Sequence, residues 1–367
     1  MLAASVVGLL CLASPVKLIL DTDIGGGGCE DVDDVAAICI AHALVDNGEA
    51  ELLAIVQNTE PPQCAGVISV LSHWYDRDDV PIGAYKGSGL TGSNPPLSYV
   101  DDLVSTFPSP IKNTSQVPDA VDVYREALAQ APAKSVAISS VGLMTNLELL
   151  LRSGPDKHSP LSGVELVAEK VQLLAAMAGS YPNSKGDWPA QREKRAPRAP
   201  ECNMCGCYNG ADQTSIATAG AASEYVYSHM PASVKIIFSG FEVGVEVRTG
   251  AVLETCAVEA SPCRRAFMDF KRDNPEGWGQ GGRCSWDPLT TLIAVRGATA
   301  AGAGVTECTD CDGVNSVSSD GSNHWVPGPP SNQTYLVLQD AAVAAQVMDA
   351  LLCQPPRLTA RSARTQT

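Results

Sequence analysis

Basic charge is scarce in this sequence. Lysine and arginine number 25 against 41 aspartates and glutamates, for a net charge of −16 and a pI near 4.7. A protein that tracks a phosphate backbone needs a basic face, so this balance excludes nucleic acid as the expected partner. The basic run "QREKRAPRAP" at 191–200 is broken by prolines and reads as loop. Long apolar runs are also lacking. The opening "MLAASVVGLLCLAS" is too short to span a bilayer and has no positive leading charge. Its small residues at the end nevertheless match a secretory leader, so 1–14 is expected to be a signal peptide and no membrane partner is expected. Internal repeats are absent as well.

What remains is ordinary for a globular chain: 367 residues, 45% apolar, mean hydropathy +0.01. Such a length permits one large α/β domain or two smaller ones. Cysteine is plentiful at thirteen. Setting Cys11 aside with the leader leaves an even number. Cys256 and Cys263 are spaced to close a small loop, while Cys202, Cys205, Cys207, Cys284, Cys308 and Cys311 fall in polar or Gly-rich stretches. Disulfides in an oxidising compartment are expected, and Asn113 and Asn332 head glycosylation triplets consistent with secretion. Cys39, inside an apolar helical pattern, reads as a small core residue. The rival use of "CNMCGC" and "CTDC" is a zinc site, but about a hundred residues separate them, unlike compact zinc modules.

Strand and helix patterns alternate along the chain. "VKLIL", "ELLAIVQN", "PIGAYKG", "KSVAISSV", "VQLLAAMAG", "SVKIIFSG" and "TYLVLQ" read as strands, separated by helical segments such as "DDVAAICIAHALVDNG". Residues 87–116, 180–211 and 300–333 read as loop. The fold class expected is α/β, a mostly parallel central sheet flanked by helices in a Rossmann-like open arrangement. One domain spans 15–355, followed by a disordered tail at 356–367. In such folds the ligand sits at the carboxyl ends of the strands.

That rule locates the segment "VKLILDTDIGGGGCEDVDDVAAI" at 16–38. Asp21 and Asp23 end the first strand, and Asp33 and Asp34 begin the next helix. Four glycines between them let the loop fold back so that the acids converge. Helix capping accounts for one or two carboxylates but not for the pair at the strand end. A hard cation held by oxygen accounts for all of them.

This segment resembles the N-terminal signature of the inosine-uridine preferring nucleoside hydrolase family, a strand followed by D-x-D-x-G-x-D-D. "AISSVGLMTNLELLL" is similar to the family's G-x-L-T-N-L-A segment, "LLAAMAGSY" to its M-G-G strand, "ECN" at 201–203 to E-F-N or E-W-N, and "SWDPLTTLIAVRG" to its late H-D-x-x-A-V-A segment. The order holds over residues 16–353. The resemblance implies a calcium-dependent hydrolase of ribonucleosides that frees ribose and base. It implies Ca²⁺ held by Asp23, Asp34, Asp287 and the main-chain oxygen of Val141, with Asp23 as general base. Asp33, Asn58, Asn183, Glu201 and Asn203 become substrate contacts, a nucleoside the partner, and a homo-oligomer the assembly.

Three departures accompany it. The glycine run lengthens the aspartate loop, which leaves the register among Asp31, Asp33 and Asp34 open. Trp286 stands where many members carry the histidine that protonates the leaving base; it packs in the core or stacks on the base, and Trp325 or His324 could share that wall. "ECNMCGCYNGAD" replaces a short loop with a cysteine-rich one. Two rivals follow. A Mg²⁺-dependent phosphatase also begins with D-x-D, but a suitable lysine and the downstream acidic pair do not stand out. A catalytically silent calcium-binding protein could keep the fold.

Overall fold

The computed structural model describes residues 14–24, 31–90, 98–182, 200–207, 211–278, 281–298 and 302–357. Asn183, nearly all of the leader, the tail beyond 357 and most of the basic run lie outside them. Its centre is an eight-stranded sheet in the order β3-β2-β1-β4-β5-β6-β12-β9. The strands are β1 (Val16–Thr22), β2 (Ala50–Gln57), β3 (Ile82–Ala84), β4 (Val136–Val141), β5 (Val171–Met177), β6 (Lys235–Ser239), β9 (Val305–Glu307) and β12 (Gln333–Leu338). All neighbours pair in parallel except β9, which runs antiparallel on the edge. The expected mostly parallel, helix-flanked sheet is what forms.

Both faces of this sheet are covered, which is why its central strands read as near-continuous apolar runs. Leu18 and Leu20 of β1 enter one core and Ile19 the other. Leu18 pairs with Leu52 but Ile19 with Ala54, so Leu53 is an extra residue that bulges β2. The order 2-1-4 places the reversal of winding at β1, and the crevice of such a sheet opens at that switch point. Helix Trp286–Arg296 is buried almost throughout and packs on helix Asp33–Asp46 and on β4 and β5.

All three segments read as loop contain structure, the stretch 180–211 holding the short helix Cys202–Cys205. Within 87–116 lies helix Ser98–Thr106, which buries Tyr99, Val100 and Leu103. Its apolar spacing is helical, but Gly, Ser and Pro on both sides obscure it. Within 300–333 are β9 and the hairpin β10 (Gly313–Val317) with β11 (Asn323–Pro327). Hairpin residues are mostly exposed or half-buried, so no apolar alternation marks them. A further short pair, β7 (Arg248–Gly250) and β8 (Gly282–Cys284), leads into the buried helix.

The disulfides correct two expectations. Cys256 and Cys263 do not bond to each other: Cys256 joins Cys353 and Cys263 joins Cys39, spanning 97 and 224 residues. Helix Pro262–Asp273 begins just after the intervening turn and presents Cys263 to helix Asp33–Asp46, so Cys39 is a cross-link rather than a lone core thiol. Cys205 bonds Cys207 and Cys308 bonds Cys311, and the clusters of potential metal ligands among the described residues contain no cysteine. Cys64, Cys202 and Cys284 are free thiols. No described helix is long and apolar enough to cross a membrane.

Candidate functional site

At the carboxyl end of β1 the chain leaves the sheet through Asp23, and across the glycine loop Asp34 enters the first turn of a helix. Asp287 arrives from the first turn of helix Trp286–Arg296. Carboxylate oxygens of Asp23, Asp34 and Asp287 lie within 4.8 Å of one another, and all three side chains are buried. Val141 ends β4 directly beside Thr22. The register left open by the long loop is thereby resolved: Asp34, not Asp31, joins the cluster.

Each acid is held differently. Thr22 donates its hydroxyl to Asp34. One oxygen of Asp23, Oδ2, is buried with no hydrogen-bond partner among the described residues. Asp33 Oδ2 accepts from the backbone N–H of Trp286 at 3.2 Å and of Asp287 at 3.3 Å. It therefore caps, from a neighbouring helix, the two amides that helix Trp286–Arg296 leaves open at its own start. Asp287 is not that helix's cap; its carboxylate is left for the cluster. Asp31 takes the Arg283 guanidinium, whose Nε lies 2.7 Å from Oδ1 and 2.8 Å from Oδ2.

Behind the cluster, Asp21 is fully buried. It accepts from Asn58 and Asn146 at 3.0 Å each and from the Tyr124 hydroxyl at 2.8 Å. Burial pushes its carboxyl up to about 7 against the pull of these three donors. Asn58 also accepts from Leu143 N–H at 3.2 Å. The Asn58 amide thus faces Asp21 and the loop after β4, and Asn58 is not among the residues that line the cavity. Gly142, between those groups, has room for no side chain, since a Cβ would stand 2.6 Å from Asp23 N and 2.7 Å from Asn58 Nδ2.

Asp23 and Asp287 of the cluster, with Asp31 and Asp33, form the floor of a cavity of about 340 Å³, within the range of small-molecule sites. Glu201, Cys202 and Asn203 make one wall. Glu201 accepts from Gly179 N–H at 3.2 Å and Asn203 N–H at 3.0 Å, and the Asn203 amide donates to the Met177 carbonyl at 3.0 Å, which ties this wall to the end of β5. Phe241, Trp286 and Arg283 line the cavity as well. The indole N–H of Trp286 donates to the Phe241 carbonyl at 2.9 Å, and the two rings lie 5.2 Å apart. Trp286 thus lines the cavity while its polar atom is spent on the backbone. Trp325 packs on Tyr181 and Tyr335, and neither it nor His324 lines the cavity.

Electrostatically the floor is costly without a counter-ion. Burial raises the carboxyls of Asp23, Asp34 and Asp287 well above the usual range, and repulsion adds to it: chiefly from Asp33 on Asp23 and Asp287, and from Asp23 on Asp34. Asp33 is raised by burial and by Asp31 and Asp34, with Arg283 opposing. Such a group of oxygens takes up either protons or a hard cation. Buried, all-oxygen and with an orphaned atom on Asp23, it suits Ca²⁺ far better than a thiolate-seeking metal.

Sequence reading missed Arg283, Asn146, Tyr124 and Phe241. Arg283 lies 252 residues from Asp31, and nothing local to either one signals the pair. Asn146 stood in the quoted "GLMTNL", where only its link to Asp21 makes it part of the site.

No family model matches the chain, and no curated protein is detectably similar in sequence. Solved structures are similar. A plant nucleoside hydrolase superimposes with a TM-score of 0.63 at 19% identity, covering 93% of this chain and 100% of that one. An inosine-guanosine nucleoside hydrolase gives 0.62 at 18%, over 94% and 99%. A type III effector protein complexed with adenosine diphosphate ribose gives 0.63 at 17%, over 93% and 94%. The likeness spans nearly the whole of each chain and is one of architecture: this protein has the nucleoside hydrolase fold.

Proposed function

We propose that the protein hydrolyses the N-glycosidic bond of ribonucleosides with Ca²⁺ as resident ion. The observation that carries this reading is the convergence of Asp23, Asp34 and Asp287 at a nucleoside-sized cavity, one buried oxygen of Asp23 having no hydrogen-bond partner among the described residues. These three carboxylates and the Val141 main-chain oxygen would be the protein ligands. Ca²⁺ accepts six to eight oxygens, which leaves room for water and a sugar diol. When bound, the ion would acidify a coordinated water and hold the sugar hydroxyls.

The protein's own groups then have distinct tasks. Asp23 accepts the proton of the attacking water as its oxygen bonds to the anomeric carbon. Positive charge developing on the sugar is faced by the carboxylate floor, as in other glycoside cleavage. Glu201, Asn203 and Asp33 are proposed sugar contacts, and Asn183 a contact for the 5′-hydroxyl. Asn58 and Asn146 act indirectly by fixing Asp21 beneath the loop. Trp286 and Phe241 enclose the base. The long-range disulfides fit an oxidising environment, so we assign the protein to the secretory pathway.

The test uses p-nitrophenyl β-D-riboside, whose leaving group needs no proton. With Ca²⁺ the purified protein is expected to release nitrophenolate, EDTA to stop the release and Ca²⁺ to restore it. Asp23→Asn should lower kcat by about 10²–10⁴-fold, the usual worth of a positioned base. No release from any riboside, with Ca²⁺ binding intact, would identify a binding protein on this fold.

A further inference from the structure

Resting on the hydrolase reading, the walls of the cavity also restrict the substrate. When a neutral nucleoside is cleaved, the bonding electron pair goes to the base, which must gain a proton or depart as an anion. A general acid is worth about 10²–10⁴-fold in such a step. All five histidines lie in the described residues and none lines the cavity. His42 is buried against Tyr75, His73 and His158 bind Asp78 and Asp122, His229 lies on Tyr225, and His324 is on β11. The Trp286 N–H is held by a carbonyl, and Asp31 is engaged by Arg283. That guanidinium holds its proton more tightly than usual, its pairing with Asp31 outweighing burial. Asp33 is turned to the helix start, its Oδ2 accepting from the Trp286 and Asp287 amides, and apart from the carboxyls the remaining candidate donor among described lining residues is the Cys202 thiol.

The same walls are strongly acidic. Among the described residues, five carboxylates and one guanidinium line the cavity, and Asp34 stands just behind. A divalent cation and Arg283 leave that excess negative, which disfavours a phosphorylated substrate. Arg283 lies 5.3 Å over the Trp286 ring, but its charge is matched by Asp31. The base-side wall of Trp286 and Phe241 is aromatic, a surface that attracts cations.

We infer that the substrate class is a riboside of a cationic heterocycle, an N-ribosylpyridinium or a purine nucleoside quaternised on its ring. The step balances without an acid. The bond from the anomeric carbon to the charged nitrogen breaks, both electrons return to that nitrogen, and the heterocycle leaves neutral. The water oxygen bonds to the anomeric carbon and its proton passes to Asp23.

The experiment is steady-state kinetics of the Ca²⁺-loaded protein on four probes: nicotinamide riboside, 7-methylguanosine, guanosine and p-nitrophenyl riboside. An acid-equipped enzyme levels guanosine with its 7-methyl derivative. Here kcat/KM is expected to be at least about 100-fold higher for 7-methylguanosine. KM should be about tenfold lower for nicotinamide riboside than for the neutral nitrophenyl riboside, and Trp286→Leu should remove that tenfold advantage. Cleavage of nitrophenyl riboside without these preferences overturns the inference and leaves the hydrolase reading standing. Guanosine turnover that Cys202→Ser selectively abolishes also overturns it, by revealing a thiol acid. Failure on all four probes removes both.

Discussion

Replacing Asp287 by asparagine separates the two consequences of packing carboxylates around an ion site. Oxygens of Asp23, Asp34 and Asp287 stand within 4.8 Å of each other. At an effective dielectric near 20, one charged pair at that distance repels by roughly 3–4 kcal/mol. Proton uptake relieves part of this, so asparagine should stabilise the metal-free protein by about 1–3 kcal/mol at pH 8. The sign with pH follows from the raised carboxyls. A folded-state pKa above the unfolded value of about 3.9 means the folded protein holds more protons, so stability present below pH 4 is lost as pH climbs toward the folded values. Ca²⁺ competes with those protons, and its stabilising effect should therefore grow from pH 5.5 to pH 8. At 100 times Kd it amounts to about 2.7 kcal/mol. For 367 residues, an unfolding entropy of roughly 0.8 kcal/mol/K makes this about 3–4 °C in Tm. Thermal melts with Ca²⁺ and with EDTA at both pH values read all three quantities. A variant that melts lower without metal yet keeps the full Ca²⁺ shift would refute the reasoning, as would a Ca²⁺ shift indifferent to pH.

Two further outcomes follow from the geometry. Gly142→Ala must displace Asp23 or Asn58; it should cost about 1–3 kcal/mol, and calorimetry should show Ca²⁺ affinity weakened. Arg283→Met leaves Asp31 buried without its counter-charge and should cost about 3 kcal/mol in urea unfolding; adding Asp31→Asn should recover more than half of it.

Much of the site was legible because its signals are local. The apolar run of β1 ending in Asp21 and Asp23, the glycines that follow, and the helix opened by Asp33 and Asp34 lie within one short stretch. A strand end, a turn and a helix start are each written in neighbouring residues. The same holds for Asp287, adjacent to a proline at a helix start, and for the wall residues Glu201 and Asn203. Sequence was weakest where exposed strands carry no apolar alternation, as in the β10–β11 hairpin, and where turn residues hid the helix at Ser98.

The sequence alone determined the alternating elements, the parallel sheet and the acids at its strand ends, since each depends on residues a few positions apart. Only the tertiary structure decided which aspartate of the long loop joins Asp23. It also decided that Asp33 caps a helix more than 250 residues away, that Arg283 neutralises Asp31, that Asn58 turns inward, and that Cys39 meets Cys263. Those choices rest on which buried charges and thiols come within a few ångströms once both faces of the sheet are packed, and distance in space is not recorded in distance along the chain.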